Sequence, residues 1–250
     1  MNPQAHDLAW RIEATCLRAW PALREQRIGD WHLRFADGLT RRSNSANPCR
    51  VTVADLEASI AACEAQYRAA GLPPIFRVPT IVSPAVDAQL ARLGYGAEGE
   101  TLTLHGAPAA TRHDPAVTIA SHPDAEWLAT MNSLQKRSPR DAEIYARLVG
   151  AIAIPAGFAA LRIDGALAAL AYAALHDGLL CFESVFTAPA HRGRGHGRRV
   201  LENLIAWGVE QGARGCCLQV EAGNAPAQAL YRGLGMRNEI YRYHYRRAPA

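Results

Sequence analysis

The most informative segment of the sequence is Glu183-Ser-Val-Phe-Thr-Ala-Pro-Ala-His-Arg-Gly-Arg-Gly-His-Gly197, which joins a strand-like run to a glycine-rich loop and then to a helical pattern. Glycine lets backbone N–H groups approach a ligand closely and point at it together. The helix that opens near Gly197 adds the positive end of its dipole. The stretch therefore predicts an anion cradle, with Arg194, Arg198 and Arg199 as counter-charges.

Regular elements surround this loop in the C-terminal half. Three strand-like runs at 158–163, 167–174 and 179–187 are separated by Asp-Gly pairs, which predict an antiparallel meander. The other elements follow from helical or alternating periodicity: helices at about 123–135, 139–150, 197–211 and 224–232, and strands at 216–220 and 239–246. This order predicts a mixed α/β fold, with a mostly antiparallel sheet flanked by helices.

The N-terminal half gives a fainter version of the same pattern. It predicts a helix at 5–19, a hairpin of Trp31–Phe35 and Leu39–Ser43 around Asp37-Gly38, a helix at about 53–70 that opens at Thr52, a strand at Ile75–Val78 and a helix beginning at Ser83-Pro84. The stretch Gly106–Ala116 mixes Gly, Pro and Ala without periodicity and is interpreted as a linker. We therefore expect two domains, at 1–108 and 112–250.

An internal duplication is indicated by one ungapped match. Residues 88–104 align with residues 229–245, which places Leu93-Gly94 on Leu234-Gly235 and Leu90 on Tyr231. Chance similarity in alanine-rich sequence is the alternative. The N-terminal half has no glycine loop, so we expect it to cover the sheet or to wall a substrate pocket. The polar run 41–47 could face such a pocket, although solvent exposure is the expected arrangement.

Composition and charge exclude several classes of protein. Hydrophobic residues make up 49% of the 250, no apolar run could cross a bilayer, and no apolar signal core is present, which favours a cytoplasmic protein without a membrane partner. The six cysteines lack CxxC spacing, so neither a disulfide framework nor a metal site is expected. The whole excess charge of +4 lies in the C-terminal half, consistent with an anionic ligand there.

The spacing of the loop discriminates between phosphate ligands. The dinucleotide fingerprint fails because Arg198 occupies the third glycine position, and no Gly-Lys-Ser/Thr of a nucleotide P-loop follows. The spacing Arg192-x-x-Gly195-x-Gly197 resembles the acetyl-coenzyme A loop of the GCN5-related N-acetyltransferase (GNAT) family. The preceding strand and the later blocks Val220-Glu-Ala-Gly-Asn224 and Ala229-Leu-Tyr-Arg-Gly-Leu-Gly235 are similar to that family too, so the resemblance covers about residues 116–245.

The resemblance implies a GNAT-like fold, with a degenerate N-terminal copy in tandem, and acetyl-CoA as co-substrate. Backbone amides of residues 194–198 would hold the pyrophosphate, and the end of the preceding strand would pair with the pantetheine arm. The cofactor-binding residues so implied are Val185, Phe186, Thr187, Arg192, Gly193, Arg194, Gly195, His196, Gly197, Arg198 and Asn224. Asn224 could equally be a simple helix cap, and the His196 side chain is expected at the surface.

Two catalytic roles are carried over from the same family. Tyr231 would donate a proton to the departing thiolate, with aromatic packing as the alternative. Glu183 would accept the proton of the attacking amine, but it could instead be an exposed strand residue or a substrate ligand. No Ser/His/Asp or Cys/His arrangement is visible, so direct attack on the thioester is expected.

The predicted function is transfer of an acetyl group from acetyl-CoA to a primary amine. A non-catalytic acyl-CoA-binding regulatory domain is the alternative, and a nucleic-acid-binding module lacks aromatic-basic interleaving outside the arginine cluster. The acceptor stays open between a small-molecule amine and a protein amine, and the pattern gives neither the acyl-chain preference nor the oligomeric state.

Overall fold

The computed structural model describes residues 3–109 and 113–249. Its helices are α1 (Pro3–Ala19), α2 (Leu56–Ala69), α3 (Pro84–Arg92), α4 (Ala125–Leu134), α5 (Pro139–Gly150), α6 (His196–Glu210) and α7 (Ala225–Gly233). Its strands are β1 (Arg24–Ile28), β2 (Trp31–Phe35), β3 (Ala46–Pro48), β4 (Ile75–Pro79), β5 (Gly96–Gly106), β6 (Val117–Ala120), β7 (Ala156–Ile163), β8 (Ala166–His176), β9 (Leu179–Thr187), β10 (Gly215–Glu221) and β11 (Asn238–Arg247).

A single sheet runs through both halves in the order β1-β2-β3-β4-β11-β5-β10-β9-β8-β7-β6. All neighbouring pairs are antiparallel except β3–β4 and β9–β10. Strand β5 of the N-terminal half lies between β11 and β10, while β11 lies between β4 and β5. The two halves have therefore exchanged their last strands. The predicted mixed, mostly antiparallel α/β sheet is confirmed.

The two halves repeat one local arrangement around α3 and α7. Each helix has nine residues and follows an N-cap side chain, Ser83 or Asn224, that accepts a hydrogen bond from a backbone N–H. Each is followed by a glycine with positive φ, Gly94 at 82° and Gly235 at 98°. In each half this helix leads from a strand of the parallel pair to an exchanged strand. The repeat supports the predicted duplication.

Helices cover both faces of the sheet, because successive side chains of a strand point to opposite sides. On β8, Ala169, Ala171 and Ala173 pack in the cluster that includes the apolar stripe of α6. Leu170 and Tyr172 instead pack with the aromatic and apolar side chains of α4 and α5. Within the described residues, no helix is both long and apolar enough to cross a membrane.

One predicted hairpin of the N-terminal half is wrong. Residues 39–43 form no strand, and β2 pairs instead with β1 across a turn that contains Gly29 at a φ of 52°. The second partner of β2 is β3, after the loop 36–45. Asp-Gly in this case opens that loop rather than a tight hairpin. Strands β1, β3 and β6 were not predicted, because β1 has a single apolar residue and β3 and β6 have only three and four residues.

Other predicted boundaries agree with the structure to within a few residues. The predicted helix at about 53–70 begins at Leu56, after an N-cap at Asp55. The interpreted linker Gly106–Ala116 lies between β5 and β6, and residues 110–112 of it lie outside the described residues.

Candidate active site

A gap opens between the parallel strands β9 and β10. Their ladder has three registered pairs and ends at Cys181 opposite Cys217, although β9 continues to Thr187 and β10 to Glu221. The edge of β9 that includes Val185 and Thr187 therefore faces the gap without a strand partner. Such an edge can pair with an extended ligand in the manner of an added strand.

A β-bulge shapes the wall of this gap. The register between β8 and β9 shifts between the pairs Leu170–Phe186 and Tyr172–Glu183, and Ser184 has a φ of 50°. A bulge bends its strand and redirects the neighbouring side chains. The Ser184 hydroxyl is hydrogen-bonded to the hydroxyl of Tyr145 on α5 at 2.9 Å. This hydrogen bond ties the distorted end of β9 to α5.

The glycine loop lies directly after β9 and ends at α6. Gly195 is the N-cap of α6, has a φ of 77°, and no side chain caps the first N–H groups of the helix. A Cβ atom built on Gly193 or Gly195 would meet nothing within 4 Å, so the surface beside both residues is open. On Gly197 it would lie 3.2 Å from the Thr187 hydroxyl. Uncapped amides beside open space at a helix N-terminus have the chemistry to bind a phosphate group.

The four arginines of the loop differ in their partners. Arg198 pairs with Glu202 at 3.0 Å, and Arg199 pairs with Asp114 at 2.6 Å. Arg192 donates a hydrogen bond to the carbonyl of Thr187, and Arg194 is exposed. Among the described residues, neither Arg192 nor Arg194 has a carboxylate partner. These two side chains are therefore the ones free to meet a phosphate group.

The expected surface position of His196 is wrong. Its side chain is buried at 9% exposure, because it packs beneath the loop with its ring 5.8 Å from the ring of His191. Burial, together with the positive charges of Arg199 and His191, lowers the pKa of His196. The Nδ1 atom of His191 is buried and has no hydrogen-bond partner in the described part of the chain.

Tyr231 lies on α7 with 8% of its surface exposed. Its hydroxyl has no hydrogen-bond partner within residues 3–109 and 113–249, unlike the hydroxyls of Tyr67 and Tyr145. Burial raises its pKa, and the charge of Glu183 raises it further, so the phenol keeps its proton at neutral pH. Asn224 at the start of α7 accepts a hydrogen bond from Ala227, so the helix-cap role is present.

Glu183 of β9 is only 6% exposed and forms an ion pair with Arg42 of the loop 36–45. The two Nη atoms of Arg42 donate to the two carboxylate oxygens at 2.8 and 2.7 Å. Burial raises the pKa of Glu183, and Arg42 acts against this shift. The alternative that Glu183 is an exposed strand residue is thus wrong, and no motif predicted its arginine partner.

The polar run 41–47 is not exposed to solvent as expected. Ser43, Asn44, Ser45 and Asn47 are each at most 4% exposed, because their side chains and backbone bond to one another and to neighbouring strands. Short polar side chains that satisfy nearby backbone groups can be buried at little cost. This packing places Arg42 against the C-terminal half.

Three cysteines that lie far apart in sequence meet where the gap begins. The sulfur atoms of Cys16, Cys181 and Cys217 lie within 4.8 Å of one another, and all three residues are buried. Cys16 comes from α1, which packs against β9. The three thiols fill the core at this point, as small buried side chains commonly do.

A cavity of about 590 Å³ lies beside Arg42. It is lined by residues of both halves: Gly38, Leu39, Thr40, Arg41, Arg42, Thr101, Gln219, Glu221, Tyr243, Tyr245 and Arg247. A second cavity of the same volume lies between α1 and strands β1–β3, and neither cavity is lined by a predicted site residue. The first cavity is linked to Glu183 through its lining residue Arg42, and Gln219 and Glu221 of β10 line it beyond the last β9–β10 pair.

Comparison with known proteins agrees with this geometry. A family model described as "Probable histone acetyltransferase Rv0428c C-terminal" matches residues 10–246. The chain belongs to this family. The match extends through both halves, so the N-terminal half is part of the family's common architecture.

Curated relatives carry names of acetyltransferases. An "Uncharacterized N-acetyltransferase YobR" from Bacillus subtilis is 28% identical over 244 residues, which cover 94% of this chain and 97% of the relative. The streptothricin acetyltransferase of Streptomyces lavendulae is 38% identical over 81 residues, 31% of this chain and 42% of that protein.

Solved structures share the fold over nearly the whole chain. A GCN5-related N-acetyltransferase from Kribbella flavida gives a TM-score of 0.72 at 18% identity and covers 98% of this chain and 96% of its own. A tandem GNAT protein from the clavulanic acid biosynthesis pathway gives 0.67 at 13% identity, with 99% and 94% covered. The predicted GNAT resemblance is confirmed, and the protein is an acyltransferase of this type.

Proposed function

We propose that this protein transfers an acetyl group from acetyl-CoA to a primary amine by direct attack of the amine on the thioester. The observation that supports this most is the continuity of the gap between β9 and β10 with the uncapped, open N-terminus of α6. A strand edge beside a phosphate site suits a ligand that is an extended arm ending in a pyrophosphate.

Residues of the C-terminal half would hold the co-substrate. The amides that follow Gly193 and Gly195 bind the pyrophosphate, with Arg192 and Arg194 as counter-charges. The backbone from Val185 to Thr187 pairs with the pantetheine arm. The acetyl thioester supplies the activated carbonyl carbon that the amine attacks.

Tyr231 and Glu183 would divide the proton transfers. As the new C–N bond forms and the C–S bond breaks, Tyr231 gives its proton to the leaving thiolate. A phenol whose pKa is raised is protonated at neutral pH and therefore ready to donate. The attacking nitrogen loses its proton toward Glu183 through a water molecule, because Arg42 lies between the carboxylate and the cavity.

The acceptor amine would lie in the cavity beside Arg42. Clefts between domains favour ligand binding, and about 590 Å³ lies within the range of small-molecule sites. Both acidic and basic side chains line or border the cavity, including Glu221 and Arg41. Polar small-molecule amines fit this lining, and a protein amine on an extended side chain is the second candidate.

Two measurements test the proposal. Acetyl-CoA at 100 times its dissociation constant should stabilise the fold by about 2.7 kcal/mol, while ATP and NAD at equal concentration should leave the melting temperature unchanged. Thiol release should then be measured across small amines and lysine-containing peptides. Absence of any thermal shift at millimolar acetyl-CoA would contradict the proposed donor, and thermal stabilisation without thiol release would favour a non-catalytic binding role.

A further inference from the structure

The loop 36–45 of the N-terminal half holds the side chain of Arg42 in place through internal hydrogen bonds. Asn44 within it accepts hydrogen bonds from the N–H groups of Ala36 and Gly38 at 2.7 and 3.0 Å. The Asn44 amide also donates to the carbonyl of Thr40 at 2.7 Å. A single buried asparagine thus fixes the backbone on both sides of the loop. Arg42 therefore lies on a loop whose backbone is fixed by these hydrogen bonds, and not on a flexible surface turn.

Arg42 leaves this loop and enters the site of the other half. Its guanidinium lies over the ring of Trp20 at 4.6 Å and makes the bidentate pair with Glu183. One Nη atom also lies 3.4 Å from the side-chain oxygen of Gln219 on β10. Arg42 lines the 590 Å³ cavity, whereas Glu183 does not. The arginine therefore stands between the cavity and the carboxylate.

We propose that Arg42 is a positioning residue through which the N-terminal half fixes the orientation and charge of Glu183. The inference rests on the proposed function, because it assigns a role to Glu183 in that reaction. Planar, bidentate pairing is the geometry in which arginine restricts a carboxylate most strongly. A carboxylate with 6% exposure would otherwise take up a proton, since an unpaired buried charge is expensive.

Several other titratable groups surround the Glu183 carboxylate. They come from α1, β2, β8, its own strand, α5 and α7, and they are Cys16, Arg34, Tyr172, Cys181, Tyr145 and Tyr231. Arg34 is fully buried, and its guanidinium donates to Glu25 and to backbone carbonyls. None of these six groups bonds to both carboxylate oxygens of Glu183, whereas Arg42 does. Removal of its charge should therefore change the ionisation of Glu183 more than any other single substitution.

The first test measures ionisation without any enzyme assay. Carbon-13 labelling of glutamate carboxyl groups, with Glu183→Gln to identify the signal, follows the titration of Glu183 in the full chain. In Arg42→Gln its pKa should rise by about 1–3 units, the usual effect of one arginine on a carboxylate. Arg246→Gln is the matched control, because Arg246 makes a bidentate pair with Asp87 that also joins the two halves. An unchanged titration in Arg42→Gln would overturn the proposal.

The second test uses thiol release with acetyl-CoA and the best amine of the panel. Arg42→Gln should lower kcat by about 10²-fold or more and move the acid limb of the pH profile upward, in parallel with the titration. Arg42→Lys should restore part of both effects, and acetyl-CoA affinity should stay unchanged in each variant. A rise in the KM of the acceptor, with kcat and the acid limb unchanged, would mean that Arg42 only binds the acceptor and would overturn the proposal.

Failure of the proposed function gives a different result. If the wild-type chain acetylates no amine, the titration still decides whether Arg42 controls the charge of Glu183. Thermal unfolding of each variant, compared with Arg246→Gln, separates a loss of fold from a loss of positioning.

Discussion

Replacement of Tyr231 by phenylalanine removes one oxygen atom that the proposed reaction uses and the fold does not. The hydroxyl makes no hydrogen bond to any described residue, and the ring is 8% exposed in the cluster beneath α7. Loss of a general acid usually costs about 10²–10⁴-fold in rate. This corresponds to about 2.7–5.4 kcal/mol of transition-state stabilisation. The free energy of unfolding should change by less than about 0.5 kcal/mol.

Tyr67→Phe is the matched control with the opposite expected result. Tyr67 is also buried, but its hydroxyl donates to the carbonyl of Arg34 at 3.1 Å and accepts from its N–H at 3.2 Å. Its loss takes a hydrogen-bond donor from the buried Arg34 carbonyl, at a cost of about 1–3 kcal/mol, whereas the Arg34 N–H keeps its bond to the Ser45 carbonyl at 3.2 Å. For a chain of this size the melting temperature should fall by about 2–12 °C. Turnover should be preserved, because Tyr67 lies in the N-terminal half away from the gap.

The assay combines thiol release at saturating acetyl-CoA with calorimetric titration of the cofactor. Tyr231→Phe should lower kcat without weakening acetyl-CoA binding, because only transition-state stabilisation is removed. Wild-type turnover should also show no alkaline decline from Tyr231 below pH 10, since its pKa is raised above that of a free phenol. Unchanged turnover in Tyr231→Phe would assign Tyr231 to packing and refute its role as proton donor.

Other substitutions test the rest of the site and the junction between the halves. Gly195→Asp should abolish acetyl-CoA binding. Gly212 also has a positive φ but lies beyond the far end of α6, so Gly212→Asp should leave acetyl-CoA binding intact. Retained binding in Gly195→Asp would mean that the loop is only a turn. Calorimetry should give one acetyl-CoA per chain, and two would show a working site in the N-terminal half. Asp87→Asn should destabilise the chain by about 1 kcal/mol at pH 7, because Asp87 is one-third exposed. Arg246 and His244 lower the pKa of Asp87 in the folded chain. The stability difference between wild type and Asp87→Asn should therefore vanish as the pH falls below about 3.8 and through the folded-state pKa. Urea unfolding that gives an equal difference at low pH would contradict this expectation.

The part of the fold that could be predicted depends on local patterns. Apolar periodicity and Asp-Gly turns gave the β7–β9 meander and α6, and capping residues gave the starts of α3 and α7. The glycine loop was recognisable because its chemistry resides in consecutive residues. Strand β1, with the sequence Arg-Glu-Gln-Arg-Ile, lacks such a pattern, so its pairing with β2 could not be predicted.

The part that could not be predicted depends on contacts between distant segments. Arg42 and Glu183 are 141 residues apart, and Cys16 and Cys181 are 165 apart. A polar run of serine and asparagine gives no sign of whether its hydrogen bonds go to water or to the protein. The exchange of β5 and β11 could not be predicted either, because the apolar pattern of each strand is the same whichever strand it pairs with. The periodicity of apolar residues shows which face of a helix or strand is buried, but it does not show which other element packs against that face.

The strand exchange explains why an N-terminal half without a glycine loop would be retained. Strand β5 pairs with β10 on one side and with β11 on the other, so the C-terminal half alone would leave both strands without this partner. Unpaired edges of central strands are unstable and prone to aggregation. The same half also contributes Arg42, which pairs with Glu183 beside the gap. A duplicated copy that lost its own cofactor loop would thus still be needed for two reasons. It completes the sheet, and it supplies the arginine that pairs with Glu183 at the proposed active site.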